Sequence, residues 1–502
     1  MEKQEEKVIA ADQMQGDAGI GHIARAAAVT GMSYLIVFLL GIGKGKATAL
    51  FTGTEGVGLL ATVTSFQALL VGVACFGVSL GLTRYISEYL ANRNYDGLAR
   101  LLKSGFLTVV TLSSLIIVFV LFLRRQLSLA IVGDTSAVWY ILFASASVPM
   151  SAISSYYGGI LIGARQIKSL ATISIGSAVA SMIFTLPLVF YLGLAGIVFQ
   201  VVLSALFTLI VSFLYGHRKV NSWHLPKVPI RFHFGESIRL LKYGSFSFST
   251  GIFHQFTLLF VQVAIIQQSG LSENGLFQSG WSIWWPFMSV AMSSVSVYVL
   301  PAICGTNDEL RIRKLVNNSL RFLLLLTTPI VVVSMTFSGE LLGFVYSSEF
   351  SDAGLLLQLM LVGTTIRLCS FPFSMQFIAK GHLRVSIVSE LLWYASFGVA
   401  FYVFLPFAGI SSTGIAVLLS QVIYALFMLL SAKRILRHTY GRENVMIVSA
   451  SVVLPAVMFI SILTMPTWSP VVLIVGLVLW MSISINGDER EHIISRLRKL
   501  TV

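Results

Sequence analysis

The chain reads as an all-α integral membrane protein of about fourteen transmembrane helices: two pseudo-symmetric six-helix lobes followed by two further helices. Three observations predict this. Of its 502 residues, 56% are hydrophobic and only 11% charged, with a mean hydropathy of +0.86, whereas a soluble chain of this length carries about 25% charged residues. Its apolar runs repeatedly reach the roughly 20 residues that a helix needs to cross a bilayer. And its two halves rhyme. The string GTEGVGLL at residues 53–60 is echoed by GLSENGLF at 270–277, an offset of 217. Residues 162–168 (IGARQIK) are echoed by 378–384 (IAKGHLR), an offset of 216. Two matches at nearly one spacing, each just outside an apolar run, point to a duplicated unit, the plan on which many transporters are built.

Taken in order, residues 1–21 are polar and mildly acidic and read as an irregular cytoplasmic tail. The apolar run that follows is too long for a cleaved signal and is retained as the first span. The first lobe occupies 22–217, with spans near 22–50, 56–85, 104–123, 136–160, 169–191 and 194–215. A basic cytoplasmic linker, 218–242, carries Arg218, Lys219, Lys227, Arg231, Arg239 and Lys242. The second lobe, 243–435, repeats the plan with spans near 243–268, 274–302, 316–338, 354–378, 383–406 and 412–432. Two additional helices fill 436–486, and 487–502 is a second cytoplasmic tail. Prolines 149, 187, 286, 329, 372 and 455 fall inside these spans, where membrane helices tolerate them.

Charge placement tests that map. With the N-terminus inside, 29 of the 34 Lys and Arg residues fall on the cytoplasmic side, a pronounced positive-inside bias that puts both termini in the cytoplasm. The net charge of +13 is therefore a property of loops and gives no reason to expect a nucleic-acid partner. Cys75, Cys304 and Cys369 lie in apolar runs without metal-ligand spacing and read as small buried hydrophobes. Arg84 and Glu88 read as an i, i+4 pair at the end of the second span.

The groups that could carry chemistry are few. Arg367 stands in the middle of the tenth span, where a charge costs at least about 2.5 kcal/mol on insertion scales. It is read as an anion contact in a transport cavity, with an ion pair as the structural alternative. Glu390, in the eleventh span, is a candidate for proton coupling, for pairing with Arg367, or for pairing with Arg384. Lys44 and Lys46 end the first span in LGIGKGKA. The string fails as a phosphate loop, because Leu40 and Ala47 stand where Gly and Ser or Thr are required. The glycines beside the two lysines permit close approach or a broken helix at a binding site, and snorkelling to the outer surface is the alternative. His254, in the seventh span, is either a packing histidine or a proton-coupling group. Trp281, Trp284 and Trp285 either mark an interface or stack on sugar. No metal-ligand cluster, catalytic triad or carboxylate pair suited to sugar transfer is legible, and no cofactor is expected. The predominance of basic groups favours an anionic substrate.

Two stretches carry a resemblance. GTEGVGLLATVTSFQALLVGVACFGVSLGLTRYISEY (53–89) and SENGLFQSGWSIWWPFMSVAMSSVSVYVLPAI (272–303) resemble the second and eighth helices of the polysaccharide and O-antigen flippases of the multidrug/oligosaccharidyl-lipid/polysaccharide exporter superfamily. The second, through its tryptophans, is similar to the branch serving enterobacterial common antigen. The resemblance covers about residues 22–435. It implies two lobes around a cavity and transport, not enzymatic catalysis, of an undecaprenyl-diphosphate-linked oligosaccharide from the inner to the outer leaflet of the bacterial plasma membrane by alternating access. It also implies that Lys44, Lys46 and Arg367 hold the diphosphate, that Trp281–Trp285 meet sugar, and that Glu390 or His254 serves coupling. In related lipid II flippases a Leu-Gly-x-x-Arg string places an arginine where Lys44 stands here. The Asp beside it is Gly45, and an Asp common in the seventh helix falls near Gln262, so the resemblance names no coupling ion. The expected partners are the lipid-linked substrate, the bilayer and other membrane proteins of polysaccharide assembly, with the flippase itself a monomer. The alternatives are a cation- or proton-coupled multidrug antiporter of the same superfamily and a membrane polymerase of polysaccharide assembly.

Overall fold

The computed structural model describes residues 2–135, 137–226 and 234–484. Lys227 and Arg231 of the linker and the whole 487–502 tail lie outside them. No strand occurs among the described residues, which form α1 (Glu2–Cys75), α2 (Val78–Ala91), α3 (Tyr95–Val132), α4 (Val138–Gly163), α5 (Ile167–Leu192), α6 (Leu194–Asn221), α7 (Phe234–Ser269), α8 (Leu271–Cys304), α9 (Glu309–Thr336), α10 (Ser338–Val345), α11 (Gly354–Ala379), α12 (Leu383–Ala408), α13 (Ser411–Ser431), α14 (Arg442–Thr464) and α15 (Ser469–Ser484). Twelve stretches among the described residues are long and apolar enough to cross a membrane. The first of them, Gly31–Cys75, is 45 residues long and breaks at Gly53, whose φ of 62° and ψ of −159° are open to glycine. Counting it as two crossings and adding α7 gives fourteen. The six prolines do sit inside helices. Two expectations are corrected. The helix begins at Glu2, so the polar N-terminal stretch is helical and not irregular. The break in the first helix lies at Gly53, nine residues beyond Lys44, and the glycine–lysine run itself stays helical.

The chain divides into two compact units, Met1–Thr52 with Leu59–Leu259 and Gly53–Gly58 with Phe260–Val502. The division falls inside α7 and not in the basic linker, because α7 is 36 residues long and contributes its first part to one unit and its last turns to the other.

The duplication is visible in the backbone itself. At the end of α4 the N–H groups of Ala164, Arg165 and Gln166 donate to the carbonyls of Ile160, Ile162 and Leu161, and at the end of α11 those of Lys380, Gly381 and His382 donate to Gln376, Ile378 and Phe377. Every atom is displaced by 216 positions. Arg165 and Gly381 are both left-handed, with φ of 55° and 75°. The next turn repeats as well: Gly193 (φ 56°, ψ −130°) and Gly409 (φ 51°, ψ −133°) link α5 to α6 and α12 to α13. Helix neighbours follow suit. In the first unit α4 packs on α2, α3 and α6, and in the second α11 packs on α8, α9 and α13.

In the first unit, the C-terminal end of α2 is held by α7. Arg239 meets Glu88 at 3.1 Å and donates to the Tyr89 hydroxyl at 2.9 Å, and that hydroxyl donates to Glu236 at 3.0 Å. Glu88 thus pairs across to α7 rather than with Arg84, whose guanidinium lies over the Tyr243 ring at 4.4 Å. The expected i, i+4 pair does not form, since a planar aromatic face and a fixed guanidinium are better partners than an exposed neighbour on the same helix.

In the second unit, Gly53–Gly58 lies against the start of α8, and the rhyming glycines are where the two chains cross. A Cβ on Gly58 would sit 2.1 Å from the Leu271 carbonyl, one on Gly275 would sit 1.9 Å from the Thr54 carbonyl, and Asn274 donates to the Gly58 carbonyl at 2.9 Å. Gly275→Ala is expected to force the chains apart, at a cost of about 1–3 kcal/mol or more. Detergent-solubilised protein should show a lower thermal midpoint and a reduced folded yield. Gly158→Ala, with nothing within 4 Å of its Cβ, is the matched control and should leave both unchanged.

Candidate functional site

The residues that could carry chemistry separate into two groups by unit. Arg367, Glu390, Trp281, Trp284 and Trp285 belong to the second, and Lys44, Lys46 and His254 to the first.

The second group is built around α11. In its apolar window 89% is buried inside the protein, so a charge placed there must find its partner on a neighbouring helix and not in lipid headgroups. Arg367 is 5% exposed, and its Nη2 lies 2.8 Å from Glu390 Oε1 on α12, a carboxylate 29% exposed. The guanidinium also meets two aromatic rings: its Cζ is 3.9 Å from the Tyr424 ring centroid on α13 and 5.3 Å from that of Trp393 on α12. A desolvated cation–π contact is worth about 2 kcal/mol. Of the readings open to Glu390, the structure realises the pair with Arg367. Arg367 Nε and Nη1 make no hydrogen bond to the described residues, but at 5% exposure this edge is not presented to a bulky ligand.

The tryptophans continue the same cluster. Trp393 and Phe397 stack at 5.9 Å and 10°, Trp285 stacks on Trp393 at 6.3 Å and 30°, Trp281 stacks on Trp285 at 5.7 Å and 6°, and Trp281 stacks on Phe397 at 5.9 Å and 24°. Spacings of three and four place the α8 rings on one face and the α12 rings on another, and the two faces zip together. Trp284 is fully buried and donates from Nε1 to Thr364 Oγ1 on α11 at 2.7 Å. Trp281 is buried too, and Trp285 is half-buried. Trp393 and Tyr424 were not singled out from the sequence. Trp393 could have been, since it follows Glu390 by three residues on the same helical face. Tyr424 could not, because only the packing of α13 on α11 brings it to the arginine.

Gln262, near the position where the resembled proteins commonly carry an Asp, is buried and donates from Nε2 to Gln278 Oε1 at 3.3 Å. This is a neutral amide pair and carries no charge for a cation.

In the first unit, Lys44 and Lys46 are half-buried on an unbroken stretch of α1. Gly43 permits close approach, as expected: a Cβ there would lie 3.2 Å from the Met182 Cε on α5. The Lys44 ammonium has no acidic partner among the described residues. His254 is half-buried on α7.

Breaking a buried pair by removing one partner costs about 3–5 kcal/mol, while replacing both is far cheaper. Glu390→Gln is therefore expected to lower the abundance and thermal midpoint of the membrane-inserted protein. Arg367→Gln combined with Glu390→Gln should recover most of both, giving a clear non-additivity in a double-mutant cycle. Equal and additive losses would contradict the pair.

Comparison with known proteins places this geometry. The family model described as "Polysaccharide biosynthesis protein" matches residues 23–307, more than half of the chain. The lipid III flippase of Escherichia coli (strain K12) is 22% identical over 409 residues, covering 80% of this chain and 96% of that protein. The fold is shared with the lipid II flippase MurJ in an inward closed conformation, at a TM-score of 0.70, 17% identity and coverage of 90% of this chain and 97% of that one. It is shared also with an inward-facing multidrug resistance MATE family transporter of the MOP superfamily, at a TM-score of 0.66, 14% identity and coverage of 85% and 98%. The fourteen-crossing duplicated fold and the family match agree: the chain belongs to the polysaccharide biosynthesis protein family.

Proposed function

We propose that this protein is a flippase, not an enzyme. It moves an oligosaccharide linked through a diphosphate to a polyprenyl chain from the inner to the outer leaflet of the bacterial plasma membrane, by alternating access. The observation that carries the reading is the alignment with a lipid III flippase over 96% of that protein's length, within a family of polysaccharide biosynthesis. The basic residues of the loops orient the chain with both termini and the linker in the cytoplasm.

The chemistry of the spans fits such a cargo. A cation carrier needs an uncompensated carboxylate. Here Glu390 is neutralised by Arg367, and Gln262 with Gln278 is a neutral pair. Those features weigh against the multidrug antiporter. A polymerase would want a long outer loop bearing catalytic groups, whereas the longest outer segment folds into α10 and a 3-10 turn at Ser348–Ala353. Because Arg367 is occupied, the diphosphate contact falls to Lys44, with Lys46 one turn-fraction further along α1. Trp285, the half-buried ring of the cluster, is the one with area left for sugar. The membrane potential drives the step in the right direction: two negative charges moved outward down an inside-negative potential of 100 mV gain about 4–5 kcal/mol.

In a strain deleted for the gene, wild-type protein should restore the surface polymer and clear the lipid-linked intermediate. Lys44→Ala should cut export about ten-fold or more at normal protein level, as loss of a charge-assisted contact implies, and Lys44→Arg should retain most of it. Full export by Lys44→Ala would remove the lysine from the mechanism. An unaltered polymer in the deletion strain would remove the function.

A further inference from the structure

Helices α1 and α5 touch at two levels and part at a third. Near one end the rings of Phe51 and Phe190 meet edge to face at 5.4 Å. In the middle, Gly43 lies against Met182. Beyond that point the space between them is a crevice of about 540 Å³ walled by Met32, Ser33 and Ile36 of α1 and by Ala171, Thr172 and Ile175 of α5, with Lys168 at its mouth. Met182 lies fourteen residues from Lys168, roughly 21 Å of helix at 1.5 Å per residue. The crevice therefore opens at the end of the span and closes near mid-membrane.

Its chemistry is that of a lipid with an anionic head. The walls are almost wholly apolar. The single charge is Lys168, exposed at the first turn of α5, and it makes no ion pair with the described residues. A lysine at this depth holds its ammonium at headgroup level while its stem lies along hydrocarbon. The volume is of the size that holds a small ligand segment.

We propose that this crevice is the entry seat for the lipid-linked substrate, with the diphosphate against Lys168 and the first isoprenoid units between α1 and α5; the proposal rests on the flippase reading above. Two features favour a polyprenyl diphosphate over a bulk phospholipid. A wedge between two helices that closes at Gly43 admits one chain, whereas a phosphoglyceride brings two. And Ser33 and Lys44 are eleven residues apart, three helical turns on one stripe of α1, so the lysine assigned to the diphosphate lies on the same face of α1 as the seat, just past the closure at Gly43.

The test is photocrosslinking on the full-length protein in phosphatidylcholine nanodiscs, with p-benzoylphenylalanine in place of Ile36 and undecaprenyl diphosphate as probe. Crosslinking is expected in the unsubstituted background. It should fall about five-fold with Lys168→Ala, the worth of one surface lysine near an anionic lipid, persist with Lys168→Arg, and fall with Ala171→Trp, which fills the wedge without touching the charge. Equal crosslinking in all variants, or equal displacement by phosphatidylglycerol, overturns the seat. Native mass spectrometry of the unmodified protein with the same probe separates the two claims. Retained undecaprenyl diphosphate with no effect of Lys168→Ala or Ala171→Trp on crosslinking defeats the crevice alone, and no retained probe at all defeats the flippase reading with it.

Discussion

A guanidinium in the middle of a helix surrounded by other helices is the constraint around which the second unit is built. Arg367 cannot reach water by extension, since α11 is covered along most of its length, and it cannot shed its proton. Its charge must be compensated from α12 and α13. The carboxylate of Glu390 supplies the charge, and the rings of Tyr424 and Trp393 supply faces. The tryptophan stack that joins α8 to α12 then extends from Trp393. Four helices are thereby held in one register by a single buried cation, which explains why the aromatic side chains concentrate here and why so little else in the unit's interior is charged.

Much of this was legible beforehand, for identifiable reasons. Spans were legible because a bilayer imposes a minimum length of apolar helix. The duplication was legible because its copies share glycines that backbones need at the α1–α8 crossing, and glycine is hard to replace where a carbonyl would lie about 2 Å from a Cβ. The position of Arg367 was legible as an anomaly, but its partner was only one of several options: three for Glu390, of which packing selected one. Lys44 and Lys46 suggested a broken helix from their glycines, yet the break fell at Gly53, where the chain turns into its second crossing. The glycine beside Lys44 serves instead to bring α5 close. Arg84 and Glu88 show the same limit from the other side: sequence spacing offers a neighbour, and the three-dimensional fold offers Arg239 and Tyr243, which are better.

The functional account follows from which charges remain after these pairings. In the second unit the one deeply buried cation among the described residues, Arg367, is neutralised, and Gln262 on α7 with Gln278 on α8 is an amide pair. In the first, Lys44 on α1 and Lys168 on α5 stand without an acidic partner among the described residues. Two such lysines on neighbouring helices of one unit suit a cargo with a diphosphate, and they suit a carrier of cations poorly. Within the tryptophan cluster, Trp281 and Trp284 are committed to packing and Trp285 alone is half-buried.

The most direct test of the central claim is translocation by the purified protein. Proteoliposomes would carry a short lipid-linked oligosaccharide confined at the start to the inner leaflet, with a membrane potential imposed by a potassium gradient. A membrane-impermeant glycosidase outside would report its arrival. The account predicts digestion that approaches completion within minutes, accelerates with a potential that drives anions outward and stays at the level of empty liposomes in the absence of protein. Digestion no faster than in empty liposomes, from protein that instead exchanges an organic cation for protons, would contradict it.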